Sequence, residues 1–179
     1  MNFSMVKKVG KIFKLLTSVA VTLIVILAML LVGVRLFGLQ VYTVLSGSME
    51  PNYKTGSLIY VKDVDPVELS VDDVITFKLS ENTTATHRII DIVFDEENNN
   101  EISFRTKGDA NDTPDGSLVA SEDVIGVPIF TIPYMGYVAS FIQRPPGMYI
   151  SIAVSIAIML LVFIGDILIG DKKEKNNLK

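Results

Sequence analysis

The chain has 179 residues, 49% of them hydrophobic, and a formal net charge of −4. It contains no cysteine and one histidine, which excludes disulfides, thiolate nucleophiles and multi-histidine metal sites, and we expect neither a metal nor a cofactor. Residues 36–147 carry 17 Asp and Glu against 7 Lys and Arg, and so acidic a region argues against nucleic-acid binding, which needs a basic surface.

The N-terminal segment predicts a membrane anchor. Residues 1–14 contain four lysines and no acid, and residues 15–34 follow without a charge. A run of this length crosses about 30 Å of hydrocarbon as a helix, so we predict a transmembrane helix over 15–35 after a basic cytoplasmic N-terminus. A cleaved signal peptide is the alternative, but its apolar region would be only about 7–15 residues long and would end in small residues.

The middle of the chain, residues 36–147, has the pattern of an antiparallel β domain with little helix. Segments rich in β-branched and aromatic residues are separated by turns containing Gly, Asn, Asp and Pro. The loop DEENNN (95–100) predicts a hairpin between the strands on either side of it. The predicted strands are residues 56–62, 73–79, 86–94, 101–107 and 123–130.

A second apolar run, residues 148–169, follows the paired prolines of QRPPG, which end the preceding element. Its length is close to the minimum for a membrane-spanning helix, so a buried helix of a soluble protein is the alternative. The tail, residues 170–179, is basic. Basic segments at both ends predict a multi-pass protein of the cell membrane, mainly β, with both termini in the cytoplasm and the β domain outside.

The stretch VLSGSMEP (44–51) places two serines in a turn shortly after the first apolar run. A serine hydroxyl needs a base before it is a useful nucleophile, and His87, in the strand ATHRIID, is the only imidazole in the chain. Taken alone, the stretch also fits a flexible connector, and a single strand histidine is more often structural.

The loop TKGDANDTPDGS offers three carboxylates, Asp109, Asp112 and Asp115. A carboxylate fixes the tautomer of an imidazole base and supports the imidazolium form. Asp and Asn also favour ordinary turns, and the loop lacks the spacing of an EF-hand calcium site. Spacing alone does not rank Asp109 against Asp115.

Combined and in order, these blocks resemble the type I signal peptidases, peptidase family S26. They are similar to the endoplasmic-reticulum-type branch, which also occurs in archaea and some Gram-positive bacteria. The bacterial housekeeping branch uses a Ser–Lys dyad with the lysine just before an arginine, where this chain has His87-Arg88. A departure is Asp72-Asp73, where the family often has Gly-Asp. The blocks that carry the resemblance, which covers nearly all of residues 15–147, are SGSMEP, GSLIYV, DDVITF, THRII and TKGD with a further Asp six residues on.

The resemblance implies a membrane-bound serine endopeptidase whose catalytic β domain cleaves signal peptides from secreted preproteins after small residues, at the outer membrane surface. Ser48 would be the nucleophile, His87 the general base and Asp115 the supporting carboxylate. Asp109 would be a second important acid that shapes the site. Ser46 would bind the oxyanion together with the backbone N–H of Ser48. The implied partners are signal peptides and the lipid bilayer, with the secretion translocon as a further candidate.

Alternatives remain open from the residues alone. The chain fits a non-catalytic surface or assembly module, in which Ser48 and His87 need not meet, and Lys78 or Lys107 is available for a Ser–Lys dyad. A groove for an extended signal peptide would use strand residues, and the candidates for its lining are Val44, Leu45, Ile75 and Phe77.

Overall fold

The computed structural model describes residues 3–81, 83–95 and 101–177. It divides into a helical unit, made of the two ends of the chain up to Gly33 and from Phe141, and a second unit, Val34–Ser140. Most of the loop predicted over 95–100 lies outside the described residues, as do the last two residues of the basic tail.

The helical unit contains helices α1 (Phe3–Leu31) and α3 (Gly147–Asn177). Within them, the 22 residues Gly10–Leu31 and the 19 residues Gly147–Gly165 are long and apolar enough to cross a membrane. In the first of these stretches the hydroxyl of Thr22 donates to the carbonyl of Ser18 at 2.8 Å, which satisfies a polar group inside an apolar helix. Helix α1 starts before the segment predicted over 15–35, since it includes the lysines of residues 3–14, and it ends earlier, at Leu31, ahead of a short 3₁₀ helix (Gly33–Phe37).

The second unit is built on one seven-stranded antiparallel sheet with the strand order β1-β2-β7-β3-β4-β5-β6. This confirms the prediction of a mainly β domain with antiparallel strands between two apolar helices. The strands of the sheet are β1 (Leu39–Thr43), β2 (Leu58–Lys62), β3 (Val74–Ser80), β4 (Thr83–Asp95), β5 (Glu101–Lys107), β6 (Val119–Ala120) and β7 (Val124–Ile132). Helix α2 (Met135–Gln143) follows β7.

The five predicted strands correspond to β2, β3, β4, β5 and β7, and β4 pairs with β5 as the predicted hairpin. Strands β1 and β6 were not predicted. The residues of β1 follow the apolar run so closely that they have no turn signal of their own, and β6 has only two residues. Strand β4 is also longer than predicted, since it begins at Thr83.

The pairing of β3, β4 and β5 determines which side chains share a face. His87 pairs with Ile75 of β3, and Ile89 pairs with Thr106 of β5. Because paired residues lie on the same face and residues two apart in a strand do too, His87 and Thr106 point to the same side of the sheet. That side carries the main hydrophobic core, whose fully buried members include Ile75, Ile89 and Phe104. Burial of each such side chain contributes about 1.5–3 kcal/mol, so the strands that present His87 are firmly held.

Candidate active site

The candidate nucleophile Ser48 lies in a tight turn between β1 and β2. The N–H of Glu50 donates to the carbonyl of Gly47 at 3.0 Å, and the Glu50 carboxylate accepts from the N–H and the hydroxyl of Thr55 at 3.2 Å each. Met49 is only 2% exposed, so its side chain anchors the turn in the domain. The turn therefore presents Ser48 from a fixed backbone, and a flexible connector is a poor description of it.

Ser48, His87 and Asp115 form a continuous hydrogen-bonded chain. His87 Nε2 lies 3.1 Å from Ser48 Oγ, and His87 Nδ1 lies 2.5 Å from Asp115 Oδ2. A carboxylate only accepts hydrogen bonds, so Nδ1–H donates to Asp115, and Nε2 is left to accept from the Ser48 hydroxyl. The side chains of His87 and Asp115 are 14% and 24% exposed. This is the arrangement in which an imidazole can take a proton from a serine.

Thr106 fixes the carboxylate of this chain. Its hydroxyl donates to Asp115 Oδ2 at 2.6 Å, and its carbonyl accepts from the N–H of Asp115 at 2.9 Å. Thr106 is the first residue of the TKGD block, but nothing in the sequence pattern singles it out. The signal lay in the sheet register, which places Thr106 on the face that carries His87.

Asp109 occupies a different place in the site from Asp115. Both of its oxygens are bound by Arg88, whose Nε and one terminal nitrogen, Nη2, donate at 2.8 Å each, and Asn52 Nδ2 donates to it at 2.7 Å. The hydrogen-bonded Arg88 guanidinium holds the pKa of Asp109 below its usual value, although burial acts in the opposite direction. Asp109 is thus an ionised partner of Arg88, and the hydrogen bond to His87 belongs to Asp115.

The loop that carries both aspartates is bound to the serine turn. The N–H of Ala110 donates to the carbonyl of Ser48 at 2.8 Å, and the N–H of Asp109 lies 3.4 Å from Met49 Sδ. Gly108 permits this approach, because a Cβ at that position would lie 2.6 Å from the Ser48 carbonyl oxygen. The position of the nucleophile therefore depends on the loop that supplies the carboxylate.

Ser46 is exposed, and its Oγ lies 3.1 Å from Ser48 Oγ. Since the Ser48 proton is directed at His87, the Ser46 hydroxyl is the donor in this contact. A donor beside the nucleophile is well placed to turn toward an oxygen that develops charge there.

Of the remaining candidates, Lys78 lines a pocket beside His87, and Asp112 and Lys107 take no part in the hydrogen-bonded chain. Asp112 is exposed, and no hydrogen bond in the described part of the chain joins it to His87. Lys107 follows Thr106 in β5, so its side chain leaves the strand on the face away from His87. Within the described ranges, no group of three or more metal-ligating side chains comes together.

A pocket of about 360 Å³ opens beside the base and its carboxylate. Phe77 contributes to its wall and meets the His87 ring edge-on, with 6.2 Å between ring centroids. The expected groove lining is wrong for Ile75, which is fully buried in the core and is not among the residues that line this pocket. Phe77 belongs to the same core cluster but does line the pocket. The residues that line the pocket are Phe77, Lys78, Leu79, Ala85, His87, Thr106, Asp115, Gly116, Ser117, Leu118, Val119 and Asp123.

Comparison with known proteins gives consistent matches. The family model "signal peptidase, peptidase S26" matches residues 16–101. Signal peptidase I W of Bacillus subtilis is 41% identical over 121 residues, which are 63% of this chain and 62% of that protein, so the chain spans less than two thirds of that relative. The signal peptidase complex catalytic subunit SEC11C of Rattus norvegicus is 31% identical over 130 residues, 68% of this chain and 67% of that protein. With similarity at this level over most of its β domain, the chain belongs to the signal peptidase family, peptidase S26.

Proposed function

We propose that the protein is a membrane-bound signal peptidase, a serine endopeptidase that cleaves N-terminal signal peptides from secreted preproteins after small residues. The observation that carries the proposal is the hydrogen-bonded chain from Ser48 through His87 to Asp115. The names of the relatives agree with it, since one is a signal peptidase I and the other is the catalytic subunit of a signal peptidase complex.

The first half of the reaction forms an acyl-enzyme. Ser48 Oγ attacks the carbonyl carbon of the last signal-peptide residue while His87 Nε2 takes the hydroxyl proton. Asp115 stabilises the resulting imidazolium through Nδ1–H. The tetrahedral intermediate then collapses, and His87 returns the proton to the nitrogen of the mature chain, which leaves as an amine.

The second half releases the signal peptide. A water molecule gives a proton to His87 and attacks the ester carbonyl, and the second tetrahedral intermediate expels Ser48, which regains its proton. In both halves the charge develops on the carbonyl oxygen, and the Ser46 hydroxyl and the N–H of Ser48 are the proposed donors to it. One such donor is typically worth about 2.7–4 kcal/mol of barrier.

The two apolar helices would hold the enzyme in the membrane where its substrates emerge. We assign the basic ends, residues 1–14 and 170–179, to the cytoplasm and the β domain, 36–147, to the outside, with spans over 15–35 and 148–169. Ser48 follows the first span by little more than a dozen residues, and the bond to be cut leaves the bilayer on that side. The lipid bilayer and the translocon that delivers preproteins are the proposed partners.

The test uses the purified full-length protein in detergent with a secreted preprotein, and cleavage sites are mapped by mass spectrometry. We expect one cut after a small residue at the end of the signal peptide. The rate of this cleavage should fall by about 10⁴-fold or more in Ser48→Ala and in His87→Ala. Lys107→Ala is the matched control, because it removes one of the two candidate bases, Lys78 and Lys107, of the alternative Ser–Lys dyad. Cleavage that persists in Ser48→Ala would overturn the proposal, and an inactive wild-type protein would favour the non-catalytic assembly module.

A further inference from the structure

Thr106 has an unusual side chain for its position. It is 0% exposed and lies on the inner face of β5, opposite the fully buried Ile89. Such positions are ordinarily aliphatic, because a buried hydroxyl without a partner is costly. Its partner here is Asp115, which belongs to the proposed catalytic chain.

Asp115 needs such a partner because of where it lies. It belongs to the segment between β5 and β6, which has no regular secondary structure, and its carboxylate borders the open pocket. The carboxylate could therefore rotate away from His87 into solvent. Thr106 opposes this rotation at two points, the hydroxyl at Oδ2 and the carbonyl at the backbone N–H of Asp115.

The same oxygen of Asp115 accepts from both Thr106 and His87. Since Thr106 and His87 project from paired strands β5 and β4, the sheet sets the distance between the two donors. The carboxylate of Asp115, although it lies in a loop, is in this way held in position by the paired strands β4 and β5. Alignment of this kind matters for rate, since a displacement of about 1 Å can cost about 100-fold in turnover.

We propose that Thr106 is a positioning residue for the peptidase reaction, in which its hydroxyl holds Asp115 against His87 without touching the substrate. The inference rests on the proposed function. It predicts that the hydroxyl affects turnover far more than substrate binding, because Thr106 is fully buried and its hydroxyl is bound to Asp115.

The central variant is Thr106→Val, which keeps the branched shape and removes the hydroxyl. We expect kcat to fall about 10- to 100-fold with KM unchanged, and Thr106→Ser, which keeps the hydroxyl, to recover most of kcat. The matched control is Thr76→Val in the neighbouring strand β3. Thr76 is equally buried, and its hydroxyl lies 2.8 Å from that of Thr86, away from the catalytic chain. Both valine variants should lose similar stability, but only Thr106→Val should lose turnover.

A spectroscopic measurement tests the same point without activity. His87 is the sole histidine, so ¹⁵N-histidine labelling of the full-length protein in detergent gives signals from this ring alone. In the wild type and in Thr76→Val we expect one tautomer, with the proton on Nδ1. In Thr106→Val we expect a mixture of tautomers. If the valine variant does not fold, Thr106→Ala replaces it.

The outcomes separate the two proposals. An active wild type together with a Thr106→Val variant of unchanged kcat and unchanged ¹⁵N spectrum would overturn the role of Thr106 and leave the peptidase intact. Failure of Thr106→Ser to recover kcat would also overturn it. If the wild type cleaves no preprotein, the proposed function fails, and the tautomer spectra alone decide whether Thr106 holds Asp115 on His87.

Discussion

Asp109 and Asp115 lie six residues apart in one loop, yet they bind adjacent side chains of β4. Arg88 holds Asp109 through two nitrogens, whereas His87 Nδ1 meets Asp115. Successive residues of a strand point to opposite faces, so the two carboxylates are bound on different sides of β4. One loop thereby carries two different contacts. The ion pair of Asp109 fixes the conformation of the loop, and the hydrogen bond of Asp115 can serve catalysis.

This division predicts different losses for the two amide variants. In Asp115→Asn the amide no longer fixes the tautomer of His87, so we expect kcat to fall by about 10⁴-fold with little change in melting temperature. In Asp109→Asn we expect a loss of about 1–3 kcal/mol in unfolding free energy and a smaller loss of kcat. Steady-state cleavage and thermal melting measure both effects.

The exposed Asp112 provides the control in the same loop, and Asp112→Asn should change neither quantity. If Asp109→Asn lost as much kcat as Asp115→Asn while its melting temperature stayed at the wild-type value, the assignment of the two acids would be wrong.

The ion pair of Arg88 and Asp109 also predicts how stability depends on pH. The hydrogen bonds from Arg88 hold the pKa of Asp109 in the folded protein below its usual value, so the unfolded chain binds the proton first as the pH falls. The stabilisation is complete above the unfolded pKa and is lost as the pH falls through the folded one. Wild type should therefore be more stable than Asp109→Asn at pH 6, and the difference should shrink below about pH 4.

Melting curves of both proteins, followed by circular dichroism at pH 6 and at pH 3, measure this difference. A gap that stays constant or widens on acidification would show that the Asp109 charge contributes nothing to stability.

The sheet was predictable from the sequence because β2, β3, β4, β5 and β7 each carry a full run of β-branched and aromatic residues between clear turn signals. Strand β6 gave no such signal, since two residues show no periodicity. The serine, histidine and aspartate blocks were recognised as a group. The resemblance implied different functions for Asp115 and Asp109, but spacing alone could not separate them, because the separation depends on which neighbour of β4 each acid meets.

The backbone conformation of Asp72 explains why this chain can have Asp where the family often has Gly. Its φ of 78° lies in the left-handed region, where glycine is favoured and Asp is among the better tolerated alternatives. Its carbonyl accepts from Arg88 at 2.7 Å. The sequence pattern marked the position as unusual, but only the backbone angle and this contact give the reason.

Ser46 is predicted to act on turnover and not on folding. Its side chain is exposed, so Ser46→Ala should leave the melting temperature unchanged. Removal of one oxyanion donor typically lowers kcat by about 10²–10³-fold, and KM should stay near the wild-type value because the charge develops only in the transition state. Ser70→Ala, at another exposed serine in the same domain, is the control. Equal kcat values for the two variants would remove Ser46 from the mechanism.

Two glycines of the aspartate loop give a direct test of the contact between this loop and the serine turn. A Cβ at Gly108 would lie 2.6 Å from the Ser48 carbonyl oxygen, whereas one at Gly116 would meet nothing within 4 Å. In Gly108→Ala the loop must move away from Ser48, which breaks the 2.8 Å hydrogen bond from Ala110 and shifts the nucleophile relative to His87. We expect a loss of about 1–3 kcal/mol in stability and of about 100-fold in kcat.

Gly116→Ala is the matched control, because it adds the same methyl group to the same loop without a clash. Its melting temperature should equal that of the wild type, and its kcat should fall far less than that of Gly108→Ala. Since the bulk added is identical, any difference between the two alanine variants reports the closeness of the loop to the Ser48 carbonyl. If both variants kept wild-type kcat, the position of the nucleophile would not depend on this contact, and the buried Met49 anchor alone would account for the turn.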